Sequence, residues 1–438
     1  MRVSVLSRPG LGGLRGLAGN LSNSDTGRAA GLGIAVIVGN VLALVFTVIF
    51  ARALGASGYG SLAALLSAYI ILMVPGSALQ IAAAREVSRE VAAGSTTAGS
   101  EVRSWLARLA VGTLVVAVLA IPLRGVIGAL INVDDLWAAA AVPVTAMLWM
   151  ILAVERGVLQ GHQRYSTVAL SIVGEATTRI IFAVLLVAIG LDVTGAFLGS
   201  ALSLLAVALV LLVPLGRRLA PAEGDEREAS RLRDLLAGAW IPVIGLTLLF
   251  ALQELHIIIV KHEASDEAAG SYAVAAVAAK AIIWVAVGLG MYLLPEAARR
   301  AETGVDARPI LLRTLALIAA ASVPMVLIYA VAGRPLLKAV FGEELTAASD
   351  ALPWLGLAMA MLACAYLSVQ YLLAMGRANF IWVLGVAAVM EVVLLIAIGA
   401  DLTEVALALF AVQVVCASIM LTLSFRQSGK GARSYVPV

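Results

Sequence analysis

The residues of this sequence best placed to do chemistry are charged side chains stranded in apolar stretches. Arg179 lies mid-way along the run 167–190, with Glu175 four residues earlier on the same helical face, where an ion pair can form. Lys280 shares a stripe spaced by four with Tyr272, Ala276 and Trp284. An ammonium beside aromatic faces suits a sugar phosphate, the cation meeting the phosphate and the rings meeting the pyranose. A lone charge at mid-bilayer costs about 2.5–3.5 kcal/mol on insertion scales, so each such residue needs a partner or a wet cavity. For Arg179 the two readings are a cavity cation that receives an anion and an internal pair that locks helices. For Lys280 they are a cavity-facing ammonium and a side chain that snorkels outward. Arg52 and Lys261 end equivalent runs and read as interfacial anchors. Arg85 reads as an inner anchor or as a capture residue for an incoming headgroup. Asn40, like Gln80, Gln253, Gln370 and Gln413, offers an amide to sugar hydroxyls or to a neighbouring helix. Glu254, His256 and Glu391, together with Glu175, either carry protons or sodium or neutralise nearby cations.

Other chemistry is missing from the sequence. It has no G-x-x-x-x-G-K-[ST] phosphate loop, no H-E-x-x-H or C-x-x-C metal spacing and no G-x-S-x-G elbow. The three histidines, His162, His256 and His262, are too dispersed for a metal site. A membrane glycosyltransferase often needs carboxylates in its first outer loop, and residues 52–60 contain none. The expectation is therefore a protein without catalytic residues, metal or cofactor, and with no nucleic-acid partner.

The elements that position these residues follow from composition. Of 438 residues, 62% are hydrophobic and 13% charged, against about 25% charged in an average soluble protein. Mean hydropathy is +1.02. Lipid must cover part of so apolar a chain, and helices are the default way to cross it because they satisfy their own backbone. Runs of roughly the 20 residues a bilayer needs occur near 31–51, 60–84, 105–123, 136–154, 167–190, 194–214, 237–259, 270–293, 311–331, 351–374, 378–399 and 403–425. With the N-terminus inside, 23 of the 30 lysines and arginines fall in inner segments, five in outer segments, and Arg179 and Lys280 within spans. That bias sets orientation and supports the count, since one span more or fewer would scramble it. The first run reads as an uncleaved helix, with Leu14, Leu17 and Leu21 forming an amphipathic lead-in before it. Cys364 and Cys416 sit in apolar runs and read as packed thiols.

The expected fold is thus an all-α membrane protein with 12 transmembrane helices in two six-helix lobes and both termini cytoplasmic. Its parts are a cytoplasmic N-terminal segment (1–30), an N-lobe of spans 1–6 (31–215), a cytoplasmic linker (216–236), a C-lobe of spans 7–12 (237–425) and a cytoplasmic tail (426–438). The lobes begin alike. Span 1 ends near Arg52 and Gly58-Tyr59-Gly60 opens span 2, while span 7 ends in Lys261-His262 and Gly270-Ser271-Tyr272 opens span 8. Tyr59 precedes Arg85 by 26 residues and Tyr272 precedes Arg299 by 27. Repeats related by an axis along the membrane normal are common in alternating-access transporters, with the site between halves.

At FARALGASGYGSL (50–62), GSALQIAAAREV (76–87) and IIIVKHEASDEAAGSYAVAAVAAK (257–280) the chain resembles the polysaccharide/oligosaccharide flippases of the multidrug/oligosaccharidyl-lipid/polysaccharide exporter superfamily. It departs from them at His256, where relatives tend to carry Asp, with Glu254 two residues earlier. The resemblance implies a MATE-like fold and a bacterial cytoplasmic-membrane protein. It also implies a polyprenyl-pyrophosphate-linked glycan as substrate, an outer-gate or headgroup role for Arg52 and Lys261 as the alternative to anchoring, and glycosyltransferases or a polymerase of the same pathway as partners. Rival expectations are a multidrug/ion antiporter of the same superfamily, a lipid II flippase, and a non-transporting scaffold for glycan synthesis.

Overall fold

A computed structural model describes residues 25–93, 98–216 and 228–426. The amphipathic lead-in, residues 217–227 of the linker and the tail beyond 426 lie outside the described residues. Those described form α-helices and short connections, with no strand among them. In chain order the helices are α1 (Asp25–Leu72), α2 (Val74–Ala93), α3 (Ala98–Ile131), α4 (Leu136–Gly161), α5 (Tyr165–Leu186), α6 (Asp192–Gly216), α7 (Glu228–Glu263), α8 (Asp266–Glu302), α9 (Arg308–Phe341), α10 (Leu352–Ala374), α11 (Phe380–Ile398) and α12 (Leu402–Arg426).

Ten helical stretches are long and apolar enough to cross a membrane. Two of them, Gly31–Ala93 and Tyr165–Gly216, far exceed the length one crossing needs. Each is broken where a glycine takes positive φ. Gly55 has φ 67° and ψ −174°, and Gly190 has φ 89°, conformations that cost glycine little and other residues much. The segment 52–60, expected as an outer loop, is therefore helical on both sides of a one-residue break. Pro75, which lacks the N–H to continue a helix, accompanies the second interruption, between α1 and α2.

Packing repeats along the chain. In the first half α2 lies on α4, α3 on α4, α4 on α6, α5 on α6 and α1 on α5. In the second half α8 lies on α10, α9 on α10, α10 on α12, α11 on α12 and α7 on α11. The halves meet chiefly through α1 and α2 against α7 and α8. Exposed faces are apolar, as on α3 (Val111, Leu114, Val115, Val118) and α9 (Leu317, Leu327, Val331). Such surfaces need lipid around them.

One end of this interface is sealed, the end expected to lie outside. Arg52 donates from Nε to the Val340 carbonyl (3.0 Å) and from a terminal nitrogen to the Ala339 carbonyl (2.7 Å), among the last carbonyls of α9. Asn132 donates to the Lys261 carbonyl at 2.6 Å, and His262 Nε2 donates to the Leu130 carbonyl at 3.1 Å. Between them the second part of α1 meets α8 backbone to backbone. A Cβ at Gly270 would lie 1.8 Å from the Ala56 carbonyl oxygen, and one at Gly60 would lie 3.0 Å from the Gly270 nitrogen. Forcing extra carbons into a packed seam costs about 1–3 kcal/mol. Gly270→Val should therefore disfavour this closed end by about tenfold to a hundredfold. Thiol labelling, from that side, of a single cysteine at buried Ser271 reads the opening, and unchanged labelling in well-folded protein would refute the seal.

Candidate functional site

A belt of polar side chains crosses the middle of the molecule where the two helix groups face each other. On the first side, α1 and α5 run parallel and close. A Cβ at Gly39 would lie 3.1 Å from Ile172 Cγ2. Two turns further along both helices, the Arg179 guanidinium carbon sits 4.2 Å above the Phe46 ring. A desolvated guanidinium over an aromatic face gains on the order of 1–2 kcal/mol. Glu175, and then Tyr69 and Tyr59, both buried on α1, lie close enough to interact with the Arg179 charge. Tyr59 also lies within the field of Glu254 in the other half.

The Glu175–Arg179 ion pair that the spacing allows does not form. Glu175 Oε2 instead accepts from Arg156 at 2.8 Å. Arg156 was expected in an inner connecting segment, yet α4 continues to Gly161 and buries it. Its Nε donates to Ser171 Oγ and a terminal nitrogen to the Ser171 carbonyl, both at 2.9 Å, and its guanidinium lies 5.7 Å from the Trp149 ring. The neighbouring Gly157 presses α4 onto α2, a Cβ there falling 2.3 Å from the Gln80 carbonyl oxygen. This fixes α4 with Arg156 turned toward α5. Arg179 has no carboxylate partner among the described residues, and its buried Nε donates to nothing there.

On the other side the charges are paired. Lys280 Nζ donates to Glu254 Oε2 at 2.6 Å, and the same oxygen accepts from Ser67 Oγ of the first half at 2.8 Å. Gln253 Nε2 completes the carboxylate, donating to Oε1 at 2.9 Å. A buried, paired ammonium replaces the cavity-facing one expected for Lys280. Tyr272, expected to stack on a sugar, is fully buried and donates its hydroxyl to His256 Nδ1 at 3.0 Å. The Gln253 carbonyl can only accept, so His256 Nε2 carries the proton of that 2.9 Å bond and Nδ1 is the acceptor. Both groups are thus spent inside the second half. Trp284, one turn beyond Lys280 along α8, is exposed, as are Asn40 and Arg85. Arg52 is committed to the sealed end, and so is Lys261, which is buried and pairs with Asp266.

Glu391 lies wholly buried between α11, α12 and α7. Gln413 Nε2 donates to its Oε2 at 3.1 Å and to the Leu252 carbonyl at 3.4 Å. Glu391 Oε1 and Gln413 Oε1 have no partner among the described residues, and the same holds for both oxygens of buried Glu155 on α4. Sequence reasoning missed Arg156 and Glu155. Their signal was an adjacent Glu-Arg pair inside the apolar stretch 136–161. No cluster of metal-ligating side chains occurs among the described residues, and both cysteines are free thiols.

Comparison with known proteins places this geometry. A family model described as polysaccharide biosynthesis protein matches residues 29–299. No curated protein matches the chain. Among solved structures, the chain is similar to the inward-facing conformation of a multidrug resistance MATE family transporter of the MOP superfamily (12% identity, 91% of this chain and 97% of that one, TM-score 0.72). The outward-facing conformation of a MATE family transporter gives a TM-score of 0.59 at 13% identity, covering 92% and 96%. A MOP superfamily transporter from Pyrococcus furiosus, described as having a binding pocket of reverse polarity that suggests a different function, gives 0.64 at 13% identity, again covering 92% and 96%. These similarities show the fold.

Proposed function

We propose that the chain, which belongs to the polysaccharide biosynthesis protein family, is a multi-pass membrane transporter rather than an enzyme, and that it is a flippase. It moves a polyprenyl-pyrophosphate-linked oligosaccharide from the inner to the outer leaflet of a bacterial cytoplasmic membrane, for cell-surface polysaccharide synthesis. Counting the two broken stretches as two crossings each gives twelve spans, divided at the linker 216–236 into two six-helix lobes with both termini cytoplasmic. The repeated packing pattern supports this division, and the sealed end supports a conformer open to the cytosol.

The observation that carries the reading is Arg179. It is a cation at the meeting of the halves, above an aromatic ring, with a free donor and no carboxylate on it among the described residues. A buried anion needs such a partner to offset its lost hydration. Exposed Arg85 and Asn40 line an inner approach, and exposed Trp284 offers a ring to the glycan. Lys280, held by Glu254, enters only if that pair opens. The halves then rock, Arg52 releases α9, and the head faces outward while the polyprenyl tail stays in lipid. An inside-negative potential favours outward movement of each negative charge by ~2.3 kcal/mol per 100 mV. The unpartnered oxygens of Glu391 and Gln413 support uptake of a proton or sodium ion there as a second driving force.

Reconstitution into liposomes with a fluorescent polyprenyl-pyrophosphate-linked glycan tests the reading. Protein-dependent loss of leaflet protection is expected. Export of a cationic dye instead would make the protein a multidrug antiporter, movement of lipid II alone would assign it to peptidoglycan synthesis, and no movement of any of these would favour a scaffold.

A further inference from the structure

We propose that Arg156 is a positioning residue for the anion site. By holding Glu175 on its own guanidinium, it keeps that carboxylate off Arg179 and fixes the net charge of the cluster at one positive. The inference rests on the reading of Arg179 as the headgroup cation. It adds a residue that touches no substrate and a reason why Arg179 stays available.

Glu175 and Arg179 stand one turn apart on one face of α5, the spacing at which carboxylate and guanidinium normally meet. The structure shows the other arrangement. Glu175 Oε2 is on Arg156 at 2.8 Å, while Arg179 Nε is buried and unpartnered. Arg156 is built to win this competition. Its side chain is 4% exposed and straddles one full turn of α5, from Ser171 to Glu175. Ser171 Oγ spends its own proton on the Val168 carbonyl at 2.7 Å, which leaves a lone pair to accept from Arg156 Nε. The Ser171 carbonyl takes a second donor, and the planar fork delivers the bond to Glu175 from the same side. With Nε and one terminal nitrogen committed to α5 and only 4% of its side chain exposed, Arg156 offers a ligand little surface of its own.

Glu175 has room to move, since 18% of its side chain is exposed. A rotation about its side-chain bonds would bring it to Arg179, one turn away. The charge arithmetic is then simple. Arg156, Glu175 and Arg179 together carry one positive charge. Without Arg156, Glu175 and Arg179 would cancel. Without both Arg156 and Glu175, the single positive charge returns.

The test uses purified full-length protein in detergent, with inorganic pyrophosphate as the ligand, binding read by titration calorimetry and folding by melting temperature. Arg179→Gln is the reference for loss of the site. Arg156→Gln is expected to weaken pyrophosphate binding at least tenfold, nearly as much as Arg179→Gln. Arg156→Gln combined with Glu175→Gln is expected to return to within about threefold of the unaltered protein. Glu175→Gln alone is expected to bind as tightly as the unaltered protein or more tightly. Where Arg156→Gln fails to fold, Arg156→Lys substitutes. It keeps the charge without a fork able to span both partners, so several-fold weakening that Glu175→Gln relieves is expected. Should Arg179→Gln leave pyrophosphate binding unchanged, the headgroup reading and this proposal fall together. If Arg179→Gln abolishes binding while Arg156→Gln only lowers the melting temperature, or if the double variant stays as weak as Arg156→Gln, the positioning role alone is overturned.

Discussion

Lys280→Met is expected to destabilise the protein by about 3–5 kcal/mol, the usual result of stranding one member of a buried ion pair. Glu254 is 1% exposed and its partner 7%. Once the ammonium is gone, Ser67 and Gln253 still donate to the carboxylate, but no charge balances it. The carboxylate must then stay ionised at high cost or take up a proton. Glu254→Gln in the same background removes the stranded charge, and most of the lost stability should return, because a well-packed neutral pair is often no worse than the ion pair it replaces. Thermal unfolding of the two single variants and the double variant in detergent completes the cycle. Equal losses that simply add would mean that the two groups do not interact. The double variant also separates folding from function. If it transports the lipid-linked glycan at near the unaltered rate, Lys280 serves the structure rather than the headgroup.

The second large effect is at Arg179. Arg179→Glu should weaken headgroup capture by at least a thousandfold, equivalent to roughly 4 kcal/mol. A charge-assisted bond lost contributes about 1.5–3 kcal/mol. Repulsion between a new carboxylate and a phosphate at about 4 Å adds a comparable amount at an intermediate dielectric. The guanidinium–Phe46 contact is forfeited as well. Arg179→Lys keeps the charge and loses the flat fork, so a loss nearer tenfold is expected. Apparent affinity for the lipid-linked glycan in liposomes reads both variants. If Arg179→Glu transports like the unaltered protein, the anion is held elsewhere. A protein that exported cations would instead gain from the added carboxylate.

Much of the architecture was legible in the amino-acid sequence because lipid enforces it. Apolar runs of bilayer length, separated by arginine-rich connections, leave few alternatives for where helices lie. Gly55 was less legible, since a nine-residue connection and a single-residue break look alike when the flanking residues are alanine, leucine and glycine. The site divides in the same way. Arg179 and Lys280 stood out as charges in apolar surroundings, and both lie in the central belt. Which carboxylate each cation meets was not legible. Glu175 looks toward Arg179 along its own helix, and only the sideways approach of α4, allowed by Gly157 and Gly161 against α2, brings in the stronger competitor. Arg156 itself was hidden by a misplaced boundary. Ending the fourth run at residue 154 moved a buried arginine into a connection, where its charge looked ordinary. Lys280 and Glu254 sit on different helices, and spacing within one helix says nothing about neighbours across a gap.

Arg52 grips α9 through the backbone oxygens of residues 339 and 340. A carbonyl is present whatever amino acid occupies the position, so the two ends of this latch tolerate change very differently. Ala339 and Val340 can drift among residues of similar size without weakening it, whereas even lysine at 52 could not reach both oxygens with one rigid fork. Natural variants of this protein should therefore be scarce at one end of the contact and common at the other, an asymmetry that pairwise covariation between positions would fail to detect.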